Sequence, residues 1–264
     1  MNIIEAIILG IIQGLTEFLP VSSSGHIELG TVLLGVQSKE NLLFSVVVHS
    51  ATALSTIVVF RKDIADLFKG LFRFEWNESV EYIAKLLISM IPVGLIGVFY
   101  KDEIEAFFGG DVLLVGFMLL LTATLLAMTY YSRKQGGKVT YFKAIIIGMA
   151  QAIAILPGVS RSGATIATSL LIGVEKEKAA RFSFLMVLIP IMGASLLEVK
   201  DYLEAPELAS GISGMALFLG FLAAFVSGLL ACQWMISIVK KGKLIYFAIY
   251  CLIVGIIAIL TAMS

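Results

Sequence analysis

Two polar runs in an otherwise apolar chain hold most of the residues that could do chemistry. The first carries Gln13, Glu17, Ser22, Ser23, Ser24, Gly25 and His26. The second carries Pro157, Gly158, Ser160, Arg161, Ser162, Gly163 and Thr165. Gln13 and Glu17 are four residues apart, so on a helix they share one face. In the second run glycine lets backbone approach closely, a helix start aims free N–H groups outward, serine hydroxyls add donors, and Arg161 supplies a fixed positive charge. That combination describes an anion site, and phosphate suits it best. The first run adds a second helix start, a carboxylate, an imidazole and candidate nucleophilic serines.

Other readings stand beside this one. Serine and glycine in membrane helices also permit close packing. Glu17 could be a structural partner of Arg161, and His26 could satisfy a backbone carbonyl near a helix start. An arginine at membrane depth is harder to explain by structure alone. His49 and Glu28 lie near helix ends where interfacial exposure suffices; Glu198 reads as interfacial, and the acidic stretches 102–105 and 201–207 read as solvated outer loops. Cys232 and Cys251 sit in apolar runs and read as buried thiols, and neither a CxxC nor a HExxH pattern occurs to build a zinc cage.

The elements that position these residues follow from composition. Of 264 residues 59% are hydrophobic and only 14% charged, against roughly 25% charged in soluble domains. This excludes an ordinary cytosolic domain, a disordered tail and a nucleic-acid binder with a basic face, and points to an all-α polytopic membrane protein. Residues 1–12 lack a basic segment and a nearby small-residue cleavage site, so a cleaved signal peptide is not expected. Six stretches are long enough to span a bilayer: about 43–60, 83–100, 112–131, 182–199, 212–232 and 244–262. Residues 2–20 and 142–157 are apolar too, but each runs into a Pro-containing break, LPVSSSGH at 19–26 and LPGVSRSGAT at 156–165. Short apolar segments follow at 24–36 and 162–174. Broken backbone at membrane depth must be buried in protein or line a wet cavity, so each pair reads as a re-entrant helix hairpin.

The chain repeats itself. Shifted by 138 residues, it shows 14 identities between residues 6 and 45, among them Gln13 with Gln151, Ser22, Ser24 and Gly25 with Ser160, Ser162 and Gly163, and Phe44 and Ser45 with Phe182 and Ser183. A single membrane domain over 1–264 is expected, with repeat 1 about 1–135 and repeat 2 about 139–264. Each repeat holds one hairpin that does not cross and three helices that do. Three is odd, so the repeats are inverted. Basic residues test this. The stretches 61–81, 131–143, 174–181 and 236–243 hold 14 of them, against Lys39, Lys101 and Lys200 on the opposite side. The positive-inside rule therefore places both termini outside, with the two hairpins entering from opposite faces and their tips meeting near the midplane.

The runs Gln13-Gly-Leu-Thr-Glu17-Phe-Leu-Pro-Val-Ser-Ser-Ser-Gly-His26 and Leu156-Pro-Gly-Val-Ser-Arg-Ser-Gly-Ala-Thr165 resemble the two signature motifs of the undecaprenyl-diphosphate phosphatase family, also called bacitracin-resistance proteins. The likeness extends over essentially the whole chain, including Tyr246-Phe-Ala-Ile-Tyr250. It implies a multi-pass enzyme of the plasma (inner) membrane that removes the terminal phosphate of a C55 polyprenyl diphosphate, serving carrier-lipid recycling in cell-wall synthesis and bacitracin resistance. It implies a site opening outward and stimulation by a divalent cation, Mg²⁺ or Ca²⁺. Carried onto this chain, the family's acidic pair falls on Gln13 and Glu17, its serine on Ser23, its histidine on His26 and its arginine on Arg161. Gln13 stands where many members have Glu, so one carboxylate remains and Glu17 becomes the key acid, with a metal contact shared with substrate phosphate.

The expected catalytic residues are then Glu17, Ser23, His26 and Arg161, with Gln13, Ser22, Ser24, Ser160, Ser162 and Thr165 binding substrate. Arg161, the 160–163 N–H groups and a cation would hold the diphosphate. Ser23 would attack phosphorus or hold a water that does, and His26 or Glu17 would take the proton. The alternative is a polyprenyl-phosphate flippase using the same anion site, since paired broken hairpins also build transporters. Expected partners are the polyprenyl diphosphate lipid and the bilayer, with no nucleic acid; a homodimer is left open.

Overall fold

In the computed structural model, residues 1–34, 38–100, 111–132, 136–204 and 212–263 are described, with 38–42 and 194–204 as backbone only. Eleven helices occur among them: α1 (Ile3–Phe18), α2 (Ser23–Leu34), α3 (Ser38–Val59), α4 (Arg61–Leu71), α5 (Glu78–Phe99), α6 (Val112–Tyr130), α7 (Tyr141–Ile153), α8 (Arg161–Leu171), α9 (Lys176–Glu204), α10 (Gly214–Lys241) and α11 (Ile245–Met263). The described residues contain no strand, only an isolated parallel bridge between Gly137 and Val174. The architecture is that of an all-helical polytopic membrane protein. Helices α5, α6, α10 and α11 are long and apolar enough to cross a bilayer, and α3, bent 74° from α4 after Phe60, makes a fifth with it. The sixth expected span, 182–199, lies within α9 and runs beyond the described side chains.

Local chemistry sets the helix ends. Asn2 and Glu5 form a capping box on α1, each side chain accepting from the other's backbone N–H at 2.7 and 2.9 Å. Asn77, Asp111, Thr140 and Ser213 cap α5, α6, α7 and α10 in the same sense. Small residues let helices cross closely. A Cβ on Gly10 would collide with the Gly220 carbonyl where α1 meets α10. One on Gly116 would come within 3.0 Å of the Gly255 carbonyl where α6 meets α11.

Both short hairpin segments appear where the polar breaks predict them, as α1–α2 and α7–α8. Helices α1, α2 and α3 begin at 3, 23 and 38, and α7, α8 and α9 at 141, 161 and 176, each 138 residues later. The packing recurs as well: α1 lies on α10 and α7 on α5, while α3 packs on α10 and α9 on α5.

Two stretches between spans hold helix. The stretch 61–81 contains α4, whose Ile64 and Leu67 pack on the core while Lys62, Asp66 and Lys69 point away. Such a two-sided pattern over 11 residues is too short and too charged to register as a span. The acidic stretch 201–207 begins as helix, because α9 runs through Glu204. The stretch 102–105, the side chain of Glu198, and Lys39, Lys101, Arg133, Lys134 and Lys200 lie outside the described residues or side chains. Cys232 and Cys251 are free and buried, as their apolar surroundings predict.

Candidate active site

The two hairpin tips touch. Ser162 Oγ donates to the Leu19 carbonyl at 3.1 Å, across 143 residues of sequence. A Cβ on Gly25 would lie 3.1 Å from the Gly158 Cα, and one on Gly163 would lie 3.3 Å from Pro20 Cβ. The second tip is anchored on α6, where Thr122 Oγ1 accepts from Ser160 N–H at 3.0 Å. Gly158 adopts φ +94°, and a Cβ there would sit 2.7 Å from the Val115 carbonyl, so neither the conformation nor the space admits a side chain.

Glu17 occupies the meeting point with its side chain only 6% exposed. Its Oε2 accepts from Ser23 Oγ at 2.6 Å and from Gln13 Nε2 at 3.0 Å. Its Oε1 faces Arg161 Nη2 at 3.7 Å. A buried carboxylate without such partners would be costly, and here two neutral donors and a guanidinium share it. Gln13 holds its amide so that Nε2 reaches Glu17, which leaves Oε1 buried without a hydrogen-bond partner.

The serines divide into two kinds. Ser22 and Ser160 are helix caps, 2% and 1% exposed, whose hydroxyls accept from Gly25 N–H at 3.2 Å and Gly163 N–H at 3.0 Å. Each also lies 3.3 Å from a second hydroxyl, Ser24 or Ser162, so one capping pattern occurs in both tips. Ser22 and Ser160 thus hold helix ends with their hydroxyls. Of the 160–163 N–H groups, those of Ser160 and Gly163 are taken, while Arg161 and Ser162 belong to the first helical turn, where no intrahelical partner exists. Thr165 donates back to the Arg161 carbonyl at 2.9 Å. The tips differ in backbone: Ser22 has φ +71°, a conformation unusual for a residue with a side chain, and Ser160 has φ −73°. The left-handed Ser22 immediately precedes Ser23.

His26 is not brought onto Glu17. Its Nδ1 lies 2.8 Å from the Ser22 carbonyl and must donate there, so the neutral ring accepts at Nε2, where the Tyr250 hydroxyl donates at 2.8 Å. The two rings stack with centroids 5.6 Å apart. The histidine that does approach Glu17 is His49, whose Nε2 is 3.9 Å from Oε2. The sequence reads His49 as interfacial, but a histidine inside an apolar span carries a desolvation cost, as Arg161 does, and that cost marks it as a functional candidate. Thr122 carries no such signal, because hydroxyls in apolar helices usually bond their own backbone, and Tyr250 is marked only by its place in the Tyr246–Tyr250 stretch.

The chain matches the family described as bacitracin resistance protein BacA over residues 6–257. It belongs to the BacA family. Curated relatives named undecaprenyl-diphosphatase include one from Bacteroides fragilis, 56% identical over 263 residues and covering 99% of each chain. Another from Christiangramia forsetii is 56% identical over 264 residues, again 99% of each. A relative in Methanobrevibacter smithii is 38% identical over 285 residues, covering 100% of this chain and 99% of its own. The two segments that resemble the family's signature motifs are those whose tips meet at Glu17.

Proposed function

We propose that this chain is an integral membrane phosphatase that hydrolyses undecaprenyl diphosphate to the monophosphate and inorganic phosphate. The observation that carries this reading is Ser23 Oγ donating to Glu17 Oε2 at 2.6 Å with Arg161 on the other oxygen. The name shared by relatives at 56% identity over the whole chain supports it. A hydroxyl bonded to a carboxylate is set to lose its proton as it attacks. In this reading Ser23 Oγ bonds to the terminal phosphorus and its proton passes to Glu17. The bridging P–O bond breaks, and polyprenyl monophosphate leaves with the electron pair. Arg161 and the first-turn N–H groups of α8 offset charge on the phosphoryl oxygens. His26, held between Ser22 and Tyr250, fixes the left-handed turn that aims Ser23.

A divalent cation fits the donors present, although among the described residues no three His, Cys, Asp or Glu side chains gather to hold one. Glu17 and the unpartnered Gln13 Oε1 would hold it together with substrate phosphates, as hard cations are commonly held. Bound there, Mg²⁺ or Ca²⁺ would neutralise phosphate charge. The topology belongs to the same proposal: two inverted repeats, termini outside, and a site open to the outer face of the inner membrane.

The test is phosphate release from polyprenyl diphosphate by purified protein with Mg²⁺ or Ca²⁺. Replacing Glu17 or Arg161 by Ala should lower turnover by roughly 10²–10³, the scale seen when a transition-state donor is removed. A folded parent that binds the lipid but releases no phosphate would instead favour a flippase, read by translocation in liposomes.

A further inference from the structure

Beside Glu17 a small cavity runs toward α3 and α9. Its polar lining is Glu17, Arg161, Thr56, Ser162, Thr165 and Ser183, closed by Phe184, Val187 and Ile191. Its room for water centres is about 10 Å³, close to the least that one buried water needs. Three of its hydroxyls already donate: Thr56 to the Thr52 carbonyl at 3.1 Å, Thr165 to Arg161 at 2.9 Å, and Ser162 to Leu19 at 3.1 Å. They can still accept. Ser183 differs. It is 4% exposed, and its Oγ is buried with no hydrogen-bond partner, a condition that costs free energy unless something fills it.

The repeat explains how this came about. Ser183 is the counterpart of Ser45, whose Oγ lies 3.2 Å from His49 Nδ1. The counterpart of His49 is Val187, which lines the cavity. Where the first repeat has an imidazole against its serine, the second has a smaller apolar side chain, a lone hydroxyl and a space for one water.

We propose that this cavity holds the water that completes hydrolysis, and that Ser183 is its positioning residue. The inference rests on the phosphatase reading above and on Ser23 carrying the phosphoryl group. A water here accepts the Ser183 proton on one lone pair and keeps the other for attack. Its protons point to acceptors among Glu17 and the threonine hydroxyls. In the reaction the water oxygen bonds to phosphorus and the phosphorus–Oγ bond of Ser23 breaks. Oγ recovers the proton held at Glu17 Oε2, and the water's departing proton goes to Glu17 Oε1.

The experiment gives the phosphoryl group a choice of acceptors. Parent, Ser183→Ala and Val187→Leu, each checked for parental thermal stability in detergent, turn over polyprenyl diphosphate in buffer containing methanol. Inorganic phosphate and methyl phosphate are both quantified. Ser183→Ala removes the hydroxyl and widens the space, so the ratio of methyl phosphate to phosphate should rise roughly three- to ten-fold, the span of one lost hydrogen bond. Because kcat/KM for the diphosphate reports only the steps up to phosphoryl transfer to Ser23, it should stay unchanged. Val187→Leu fills the cavity and should lower turnover by a similar factor, with KM falling alongside it so that kcat/KM is unchanged. Ser183→Ala with the parental ratio, or Val187→Leu with parental turnover, overturns the proposal. A parent that forms neither product overturns the phosphatase reading itself, and this inference with it.

Discussion

Glu17 accepts Ser23 and Gln13 on a single oxygen, while its other oxygen faces Arg161. That division lets one carboxylate orient a nucleophile and remain paired with a cation. His26 stands outside the division, with both ring nitrogens engaged by Ser22 and Tyr250. Tyr250→Phe removes the donor to Nε2 and leaves the ring otherwise intact. Turnover should fall roughly two- to ten-fold, as expected for one neutral hydrogen bond. The same change made in a His26→Ala background should have no further effect, and that double-mutant comparison checks the assignment. Ser22 and Ser24 looked alike with Ser23 as letters in a row. The left-handed Ser22 separates them, because it turns Ser23 toward Glu17 while Ser22's own hydroxyl caps α2.

At the scale of elements, the site depends on two helix starts brought tip to tip, with α6 as the support beneath the second. Gly158 is the tightest joint in that arrangement. Gly158→Ala places a Cβ in a left-handed conformation against the Val115 carbonyl. It should cost about 1–3 kcal/mol of stability and pull Ser160 away from Thr122. The expected result is a lower melting temperature in detergent together with loss of phosphate release; a melting temperature equal to the parent's would contradict the assigned strain. The hairpins themselves were readable, because proline and a polar run inside an apolar stretch mark a break wherever they occur. Helix α4 was not, since its apolar side chains are spaced for a face rather than a span.

For the whole molecule, the distribution of basic residues makes a prediction that needs no side-chain geometry. Fourteen lie in the four stretches assigned to the cytoplasmic side and three opposite. A C-terminal alkaline phosphatase fusion should therefore be active and a C-terminal green fluorescent fusion dark. The reverse pattern would place the termini inside and invert the proposed access to the site. Packing supports a repeated plan, since α1 on α10 has its counterpart in α7 on α5.

Sequence alone was enough for the membrane class, the two broken hairpins, the 138-residue period and the pairing of a carboxylate with an arginine among hydroxyls. Each follows from local rules: length against bilayer thickness, breaks at proline, the cost of charge in lipid. Tertiary structure decided which groups meet. It put Ser23 rather than Ser22 on Glu17, turned His26 toward Tyr250, brought His49 to within 3.9 Å of Glu17, and left Ser183 without a partner beside a water-sized space. Those choices depend on helix crossings between segments from about thirty to more than two hundred residues apart and on one left-handed residue, and neither is encoded in any local spacing.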